Sequence, residues 1–342
     1  MTAPLTPNEH LAGTPDQRRA LRTDLAAIRA TPAIHARHPG LLWVPMPALI
    51  ASRPAFLDLG LLHAGTELAR LRFRELGLTR LLPPERVWIG TASADPDAFG
   101  GFHYPGQGYR HLQMAAVITR YGILHDQTHP DPCLVTLDLL RAYAHDSLHY
   151  GSYRLYQWRA ASHGYDIART RYGINFRQPD GRTYSAPDRP GSPSTRNLGI
   201  IMEGATDREA RSITRKAADL ARIDPPAADP DRLAYRDTTG QVTTADLAAH
   251  RLSSTPGIPP RPDSHAFLMR MASYQHTVGS KYDTFLSEAS PTTPDDLHTL
   301  ILTAMISGSL TQLSQKLNEH YGPRAFTRMF RTPAFASPPL AA

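Results

Sequence analysis

The sequence predicts an α+β fold, because helical and strand-like segments alternate through its first two thirds and helical segments dominate the remainder. The chain has 342 residues, of which 41% are hydrophobic and 20% are charged. It is therefore long and apolar enough to bury one large core or two moderate ones. Its 23 glycines and 31 prolines follow no repeating period, which indicates many loops within a folded body.

Four segments have the apolar spacing of a helix, namely 16–30, 61–76, 133–150 and 197–222. The third is the clearest of them, because its eighteen residues contain no glycine and no proline. Strand-like runs follow a different pattern and occupy 86–91 and 112–124. A further stretch, 171–185, has the pattern of a hairpin around Pro179-Asp180-Gly181.

These segments divide the chain into five parts. A stretch with seven prolines and few apolar runs is interpreted as a linker or a long surface excursion, and the last eleven residues as a tail. The parts are an N-terminal region (1–111), a central core (112–222), the proline-rich stretch (223–262), a helical C-terminal part (263–331) and the tail (332–342).

Composition narrows the classes of partner and of metal site. The 37 basic residues exceed the 31 acidic ones, but they are scattered from Arg18 to Arg331, so no nucleic-acid partner is expected. The single cysteine, Cys133, excludes an internal disulfide and a cysteine-rich zinc site. No stretch resembles a secretory signal or a membrane span, so we expect a cytoplasmic location and leave export by another route open.

The predicted helix 133–150 contains the string HDxxH, at His145-Asp146-Ser147-Leu148-His149. Two imidazoles four residues apart share one helix face and can bind one metal ion. The carboxylate after the first histidine can reach a metal-bound water as a general base. The same string occurs at His125–His129, but Pro130 and Pro132 follow directly, so a helical spacing is not expected there.

A third metal ligand is expected downstream. Only four of the eight glutamates follow His149, at positions 203, 209, 288 and 319. Glu203 lies early in the predicted helix 197–222, with Asp207 one turn further on the same face. Asp207 is thus placed to hydrogen-bond the outer nitrogen of a ligating histidine. The sequence predicts Zn²⁺ bound by His145, His149 and Glu203, with a fourth position left for water.

The combination of HDxxH on one helix and ExxTD on the next resembles the HExxH and ExxxD patterns of gluzincins, the thermolysin-like clan of zinc metallopeptidases. The resemblance implies that His145 and His149 are the imidazole ligands, Glu203 the third ligand and Asp207 the supporting carboxylate. It also implies that Asp146 is the general base, one methylene shorter than the usual glutamate. The matched region extends from Met114 to Asp207.

The resemblance further implies a zincin-like mixed sheet over the active-site helix, with the mainly helical C-terminal part completing the cleft. The central core is then a metallopeptidase core, and Met114–Leu124 matches the edge strand that pairs with an extended protein or peptide substrate. The expected reaction is zinc-dependent hydrolysis of peptide bonds, by an endopeptidase rather than an exopeptidase. Tyr274, His276 and Tyr282 are candidates for steadying the oxyanion of the tetrahedral intermediate.

Two other functions stay open at this point. His125 and Asp126 are typical of HD-type metal-dependent phosphohydrolases, in which adjacent histidine and aspartate bind a divalent metal. Alternatively, the chain is a catalytically silent relative that keeps the zincin-like fold as a binding protein, because the shortened Asp146 fails as a base.

Overall fold

The computed structural model describes most of the chain in eleven stretches. These are residues 8–30, 41–52, 56–93, 110–113, 131–162, 164–178, 183–185, 187–227, 231–243, 245–246 and 273–331.

Helices form most of the regular structure in these stretches. Helices α1 to α10 are Pro15–Ala30, Met46–Ser52, Leu59–Glu75, Pro132–Gly151, Leu198–Leu220, Asp231–Thr239, Ser280–Ala289, Pro294–Ser307, Thr311–Tyr321 and Ala325–Arg331. A π-helical turn, Gln275–Gly279, leads directly into α7. A short 3-10 turn, Pro84–Arg86, precedes the third strand.

The described strands form two small sheets, each of mixed direction. Strands β1 to β7 are Glu9–Leu11, Leu41–Pro45, Val87–Ser93, Arg110–Gln113, Arg154–Ala161, Gly164–Tyr172 and Asn175–Phe176. The four-stranded sheet has the order β1-β5-β6-β7, with β1 parallel to β5 and the other pairs antiparallel. The three-stranded sheet has the order β2-β3-β4, with β3 antiparallel to β2 and parallel to β4.

Helix α4 begins and ends where its local sequence dictates. At its N-terminus the Asp131 carboxylate accepts a hydrogen bond from the backbone N–H of Cys133 at 2.8 Å, and Pro132 occupies the first turn, where its missing N–H costs nothing. At the other end, Ser152 turns into extended backbone and its N–H bonds the carbonyl of His149. The helix therefore ends two residues before β5 starts.

Three hydrophobic clusters meet on α4, which explains why the helix is apolar nearly all the way round. One face packs against the three-stranded sheet through Val135, Leu139 and Tyr143. A second face packs against α3, α5 and α6, and a third, near the C-terminal end, packs against α5. The two sequence-predicted ligand helices, α4 and α5, are therefore held by core packing rather than by a surface contact.

The architecture fits the α+β prediction, and the three-stranded mixed sheet packs against α4. Helices α1, α3, α4 and α5 match the four helical segments predicted from the sequence within a few residues. Strand β3 matches the predicted run 86–91, and β4 covers the start of 112–124. The remaining residues of that run, from 114 onward, are outside the described part of the chain.

The largest departure from prediction is the hairpin formed by β5 and β6, which the sequence patterns did not indicate. Its register extends from Arg154 opposite Tyr172 to Ala161 opposite Gly164. The predicted hairpin 171–185 has a counterpart in the short pairing of β6 with β7 and in a bridge between Arg177 and Thr183. Residues 179–182, which contain its turn, are outside the described residues.

The segment predicted as a linker or surface excursion is in part packed against the body. Within the proline-rich stretch 223–262, the nine residues of α6 form a helix that buries Ala234 and Tyr235 against α4 and α5. The loop 187–196 is fastened by Arg196, which contacts Glu288 at 2.9 Å. Residues 247–262 and the predicted tail 332–342 are not among the described residues.

No helix in the described stretches is both long enough and apolar enough to cross a lipid bilayer.

Candidate metal centre

His145 and His149 lie one turn apart near the C-terminal end of α4, on the face turned towards α5. Their ring centres are 4.7 Å apart and the ring planes meet at 67°. The side chains keep 13% and 11% of their accessible surface, so both rings are fixed by their surroundings while one edge stays reachable. The predicted i, i+4 arrangement is therefore present in the folded helix.

Glu203, in the second turn of α5, lies opposite both imidazoles. Its Oε1 is 3.3 Å from Nε2 of His145, and its Oε2 is 3.1 Å from Nε2 of His149. The three ligand atoms lie within 4.8 Å of one another, so the group could hold a metal ion. The Glu203 side chain is densely surrounded yet keeps 36% of its accessible surface, which leaves an approach for a small ligand.

The donor set fits zinc better than it fits a hard cation. Two imidazole nitrogens and one carboxylate form the ligand set of many catalytic zinc sites, whereas Ca²⁺ and Mg²⁺ prefer oxygen ligands. Zinc bonds of about 2.0–2.2 Å in a tetrahedron separate neighbouring ligand atoms by roughly 3.3–3.6 Å. The observed nitrogen–oxygen separations, 3.3 Å to Oε1 and 3.1 Å to Oε2 of Glu203, are close to that range.

The electrostatics of the three groups are strongly coupled. Burial raises the pKa of Glu203, but the neighbouring His145 and His149 outweigh burial and hold the pKa well below its usual value. Burial also lowers the pKa of each imidazole; Glu203 reverses this for His145, whose pKa is raised, whereas the pKa of His149 stays lowered. Protonation of His145 therefore competes with metal binding, because a metal ion binds the deprotonated imidazole nitrogen.

Asp207 lies behind His145, on the side away from Glu203. Its Oδ1 is 3.8 Å from Nδ1 of His145, which is too long for a hydrogen bond. Both of these atoms are buried and have no hydrogen-bond partner. The structure thus brings together the predicted pair, and a small rotation of the imidazole towards Asp207 would satisfy both atoms at once.

A buried ion network holds Asp207 in place. Arg211 donates a hydrogen bond to Asp207 from one turn further along α5 and reaches Asp237 of α6 at 2.9 Å. Arg141 of α4 approaches Asp207 at 3.6 Å and Asp138 at 3.4 Å. The network links α4, α5 and α6 directly behind the imidazole of His145, which explains why α6 is buried.

Tyr172, at the end of β6, supports His149 and was not identified from the sequence. Its hydroxyl donates to the backbone carbonyl of His149 at 3.2 Å and lies 2.8 Å from Nδ1 of the same residue. Which ring nitrogen of His149 carries the proton decides the donor of that second contact, and in the metal-free chain Nε2 donates to the Glu203 carboxylate. With a metal ion at Nε2, Nδ1 would carry the proton and donate to the Tyr172 hydroxyl, which would fix the metal-binding tautomer.

The three residues proposed as oxyanion donors have different environments. The hydroxyl of Tyr274 donates to Oε1 of Glu203 at 3.1 Å, and burial raises its pKa well above the usual value, so it keeps its proton. His276 is exposed. Tyr282 is fully buried and bonds Nδ1 of His298 at 2.8 Å, away from the metal ligands. Only Tyr274 lies at the candidate metal centre.

Asp146, the predicted general base, is buried on α4 between the two imidazoles in sequence. Its carboxylate charge favours the protonated form of both imidazoles, though less strongly than Glu203 does. Gly204, next to Glu203 on α5, lies in close contact with Tyr282 of α7. A Cβ at Gly204 would lie 2.5 Å from the Cβ of Tyr282. Only glycine permits α7 to approach α5 at this point.

A cavity of about 580 Å³ lies beside α5, and its lining residues do not include His145, His149 or Glu203. It is lined by polar and charged side chains, among them Arg208, Glu209 and His298. Arg208 is already paired there with Asp283 and Asp295. The cavity therefore does not contain the candidate ligands, although Asp207 contributes to its wall.

The other motif segments cannot be placed. His125, Asp126 and the predicted edge strand Met114–Leu124 are outside the described residues.

Comparison of the chain with protein-family models, with curated proteins and with solved structures gives no match. The interpretation of the site therefore depends on its own geometry: two imidazoles and a carboxylate that converge and could bind a metal ion.

Proposed function

We propose that the protein is a zincin-like zinc metallopeptidase in which His145, His149 and Glu203 bind the metal and Asp146 is the general base. The proposal rests on the convergence of the three ligand atoms within 4.8 Å of one another. These atoms come from two different helices, and His149 and Glu203 are 54 residues apart in sequence. The α+β fold, with a mixed sheet over α4, is consistent with it.

Zinc bound by these three ligands would polarise a substrate carbonyl and lower the pKa of a water molecule in the open fourth position to about 7. The chain's own residues then have to move the protons. Asp146, which follows His145 directly on α4, would accept the proton of the attacking water and pass it to the nitrogen of the leaving amine.

Other side chains would keep the ligands in position during this exchange. Tyr172 fixes the tautomer of His149, and Asp207 is poised to do the same for His145. Tyr274 donates to Glu203, and its protonated hydroxyl is the donor nearest to the site of the developing oxyanion. An extended protein or peptide is the substrate that this constellation would serve.

The proposal is tested by metal analysis combined with peptide cleavage. The full chain, purified without chelators, should carry one zinc per molecule and cut peptides in a mixed proteome digest. The variants His149→Ala and Glu203→Ala should lose both the zinc and the cleavage. The matched variant His125→Ala, in the other HDxxH string, should keep both.

Two other outcomes would favour one of the alternative functions. Loss of metal in His125→Ala but not in the first two variants would overturn the proposal and favour the phosphohydrolase. One zinc per chain, bound by the proposed ligands but without cleavage of any peptide, would favour the silent binding protein. Neither result depends on knowing the natural substrate.

A further inference from the structure

We propose that Arg169 of β6 forms a binding site for a carboxylate group, next to the support of the metal centre. The guanidinium carbon lies 4.4 Å from the centre of the Tyr172 ring, over its face. Its Nε and Nη1 are buried and have no hydrogen-bond partner. The residue as a whole is only partly buried, so a small ligand can approach it from solvent.

Among the described residues, no carboxylate forms an ion pair with Arg169. The groups that influence its pKa among the described residues are two tyrosines, Tyr156 and Tyr172, and two further arginines, Arg154 and Arg177. Burial, together with these positive neighbours, lowers the pKa of Arg169 to about 10. The local field is therefore positive, and an anion is the ligand that it favours.

Buried donors without acceptors are uncommon in native proteins, because their lost hydration is not replaced. The neighbouring Arg154 shows the ordinary solution, since its guanidinium donates to the backbone carbonyls of Tyr150 and His149, both at 2.6 Å. Arg169 has no such carbonyl within reach in the described stretches. An acceptor from a bound ligand would satisfy the Nε–H and Nη1–H groups of Arg169.

A carboxylate is the best match to this donor set. The planar guanidinium presents paired N–H groups that a carboxylate accepts in a bidentate manner. At either edge of the guanidinium, an oxyanion would meet one of the two unpaired groups together with Nη2. The aromatic face of Tyr172 covers one side of the guanidinium, so the anion is confined to the plane of its N–H groups.

The site is close enough to the metal centre for one molecule to reach both. Tyr172 stacks on His149 with ring centres 6.0 Å apart, so Arg169 lies within about 10 Å of the His149 ring. The carboxylate could therefore belong to a molecule bound at the metal or to a free small acid. The first of these sources, though not the second, rests on the proposed function.

One experiment distinguishes the two sources. The zinc-loaded full chain is titrated by calorimetry with the monohydroxamates of succinic, adipic and suberic acid, and with the matching compounds in which an amide replaces the free carboxylate. The hydroxamate group binds the zinc in every compound. At one chain length we expect the acid to bind at least about tenfold more tightly than the amide.

The variant Arg169→Gln should abolish that preference, whereas Arg159→Gln, which removes another arginine of the same hairpin, should retain it. In a second arm the metal-free chain is titrated with acetate. Binding that Arg169→Gln removes would identify a free carboxylate as the ligand. Either result supports the site, and the acid–amide comparison needs only the unchanged protein.

The inference is overturned if the unchanged protein neither prefers any acid over its amide nor binds acetate. Should acids and amides bind the zinc-loaded protein equally, the metal centre is accessible and only the Arg169 site fails. If instead no hydroxamate binds but acetate binding requires Arg169, the carboxylate site stands and the proposed zinc function fails.

Discussion

Helix α5 carries two glutamates that each contact a histidine, and the two clusters differ in what completes them. Glu203 lies 3.1 Å from Nε2 of His149, and Glu209 lies at the same distance from Nε2 of His298. Both carboxylates have lowered pKa values. Judged by the histidine–carboxylate contact alone, the two sites would be indistinguishable.

The two clusters differ in whether an arginine also pairs with the carboxylate. Glu209 also accepts a hydrogen bond from Nε of Arg72 at 2.8 Å, and the other nitrogen of His298 meets the Tyr282 hydroxyl. Glu203 has a second imidazole instead: the described side chains that contact it are His145, His149 and Tyr274, and none of them is an arginine or a lysine. A histidine–glutamate pair becomes a candidate metal site when nitrogen donors converge and no side-chain cation neutralises the carboxylate.

The matched variants Glu203→Gln and Glu209→Gln test this distinction most directly. Glu203→Gln removes a ligand, so we expect zinc affinity to fall by more than the roughly 100-fold typical of a supporting residue. Glu209→Gln should leave zinc affinity unchanged. Affinity is measured by competition with a chromophoric chelator, and the rise in melting temperature on adding zinc provides a second readout. Equal losses in the two variants would contradict the distinction.

Asp146→Asn separates metal binding from catalysis within the first cluster. The substitution keeps the size of the side chain but removes the proton acceptor, so peptide cleavage should slow by about 10²–10⁴-fold. Zinc content, measured by atomic absorption, should remain one per chain. A variant that retains zinc and cleaves at the original rate would exclude Asp146 as the base.

Two tyrosines provide a smaller matched comparison. Tyr172→Phe removes the hydroxyl that fixes the His149 tautomer, and we expect zinc affinity to fall by about 10-fold to 100-fold. Tyr282→Phe removes the equivalent hydroxyl beside His298 and should leave zinc affinity unaltered. If both variants bind zinc as the unchanged protein does, the tautomer of His149 does not depend on Tyr172.

The second cluster should be visible in acid stability. Burial raises the pKa of Glu209, but His298 and Arg72 outweigh it and lower the pKa to about 2. Because the folded pKa lies below the unfolded value near 4.5, the stabilisation is complete above that value and is lost as pH falls towards 2; it amounts to about 3 kcal/mol. Urea unfolding of metal-free protein between pH 5 and 2 should show this loss.

The control for that measurement is the exposed Glu319. Glu209→Gln should reduce the pH dependence of the free energy of unfolding within this window and leave the part that Glu203 contributes, whereas Glu319→Gln should leave the whole dependence as in the unchanged protein. A slope in Glu209→Gln equal to that of the unchanged protein would show that the Arg72–Glu209–His298 cluster does not contribute to acid stability.

The parts of the site that sequence alone could predict are those with a local pattern. His145 and His149 lie on one helix, and their spacing follows from the helical period. Glu203 could be chosen because few glutamates follow His149 and because Asp207 lies one turn beyond it. The convergence of α4 and α5 was an expectation from this chemistry, and the structure brings their side chains together.

The parts that could not be predicted depend on contacts between distant segments. Tyr172 reaches His149 only because the β5–β6 hairpin folds back over 23 residues, and that hairpin lacks a strong turn signal. Helix α6 was obscured by flanking prolines, although its apolar face packs on α4. Two buried guanidinium nitrogens of Arg169 lack an acceptor among the described residues, and no sequence pattern records this.

The π-helical turn at Gln275–Gly279 makes the position of Tyr274 sensitive to the deletion of a single residue. A π turn accommodates one residue more than an α-helical turn, and such turns are frequent at functional sites. Deleting one residue from it would restore a regular helix continuous with α7, with little cost to the backbone. It would also rotate everything before the turn by about 100°, so Tyr274 would leave Glu203. The extra residue of the π turn therefore determines whether Tyr274 contacts the candidate metal centre.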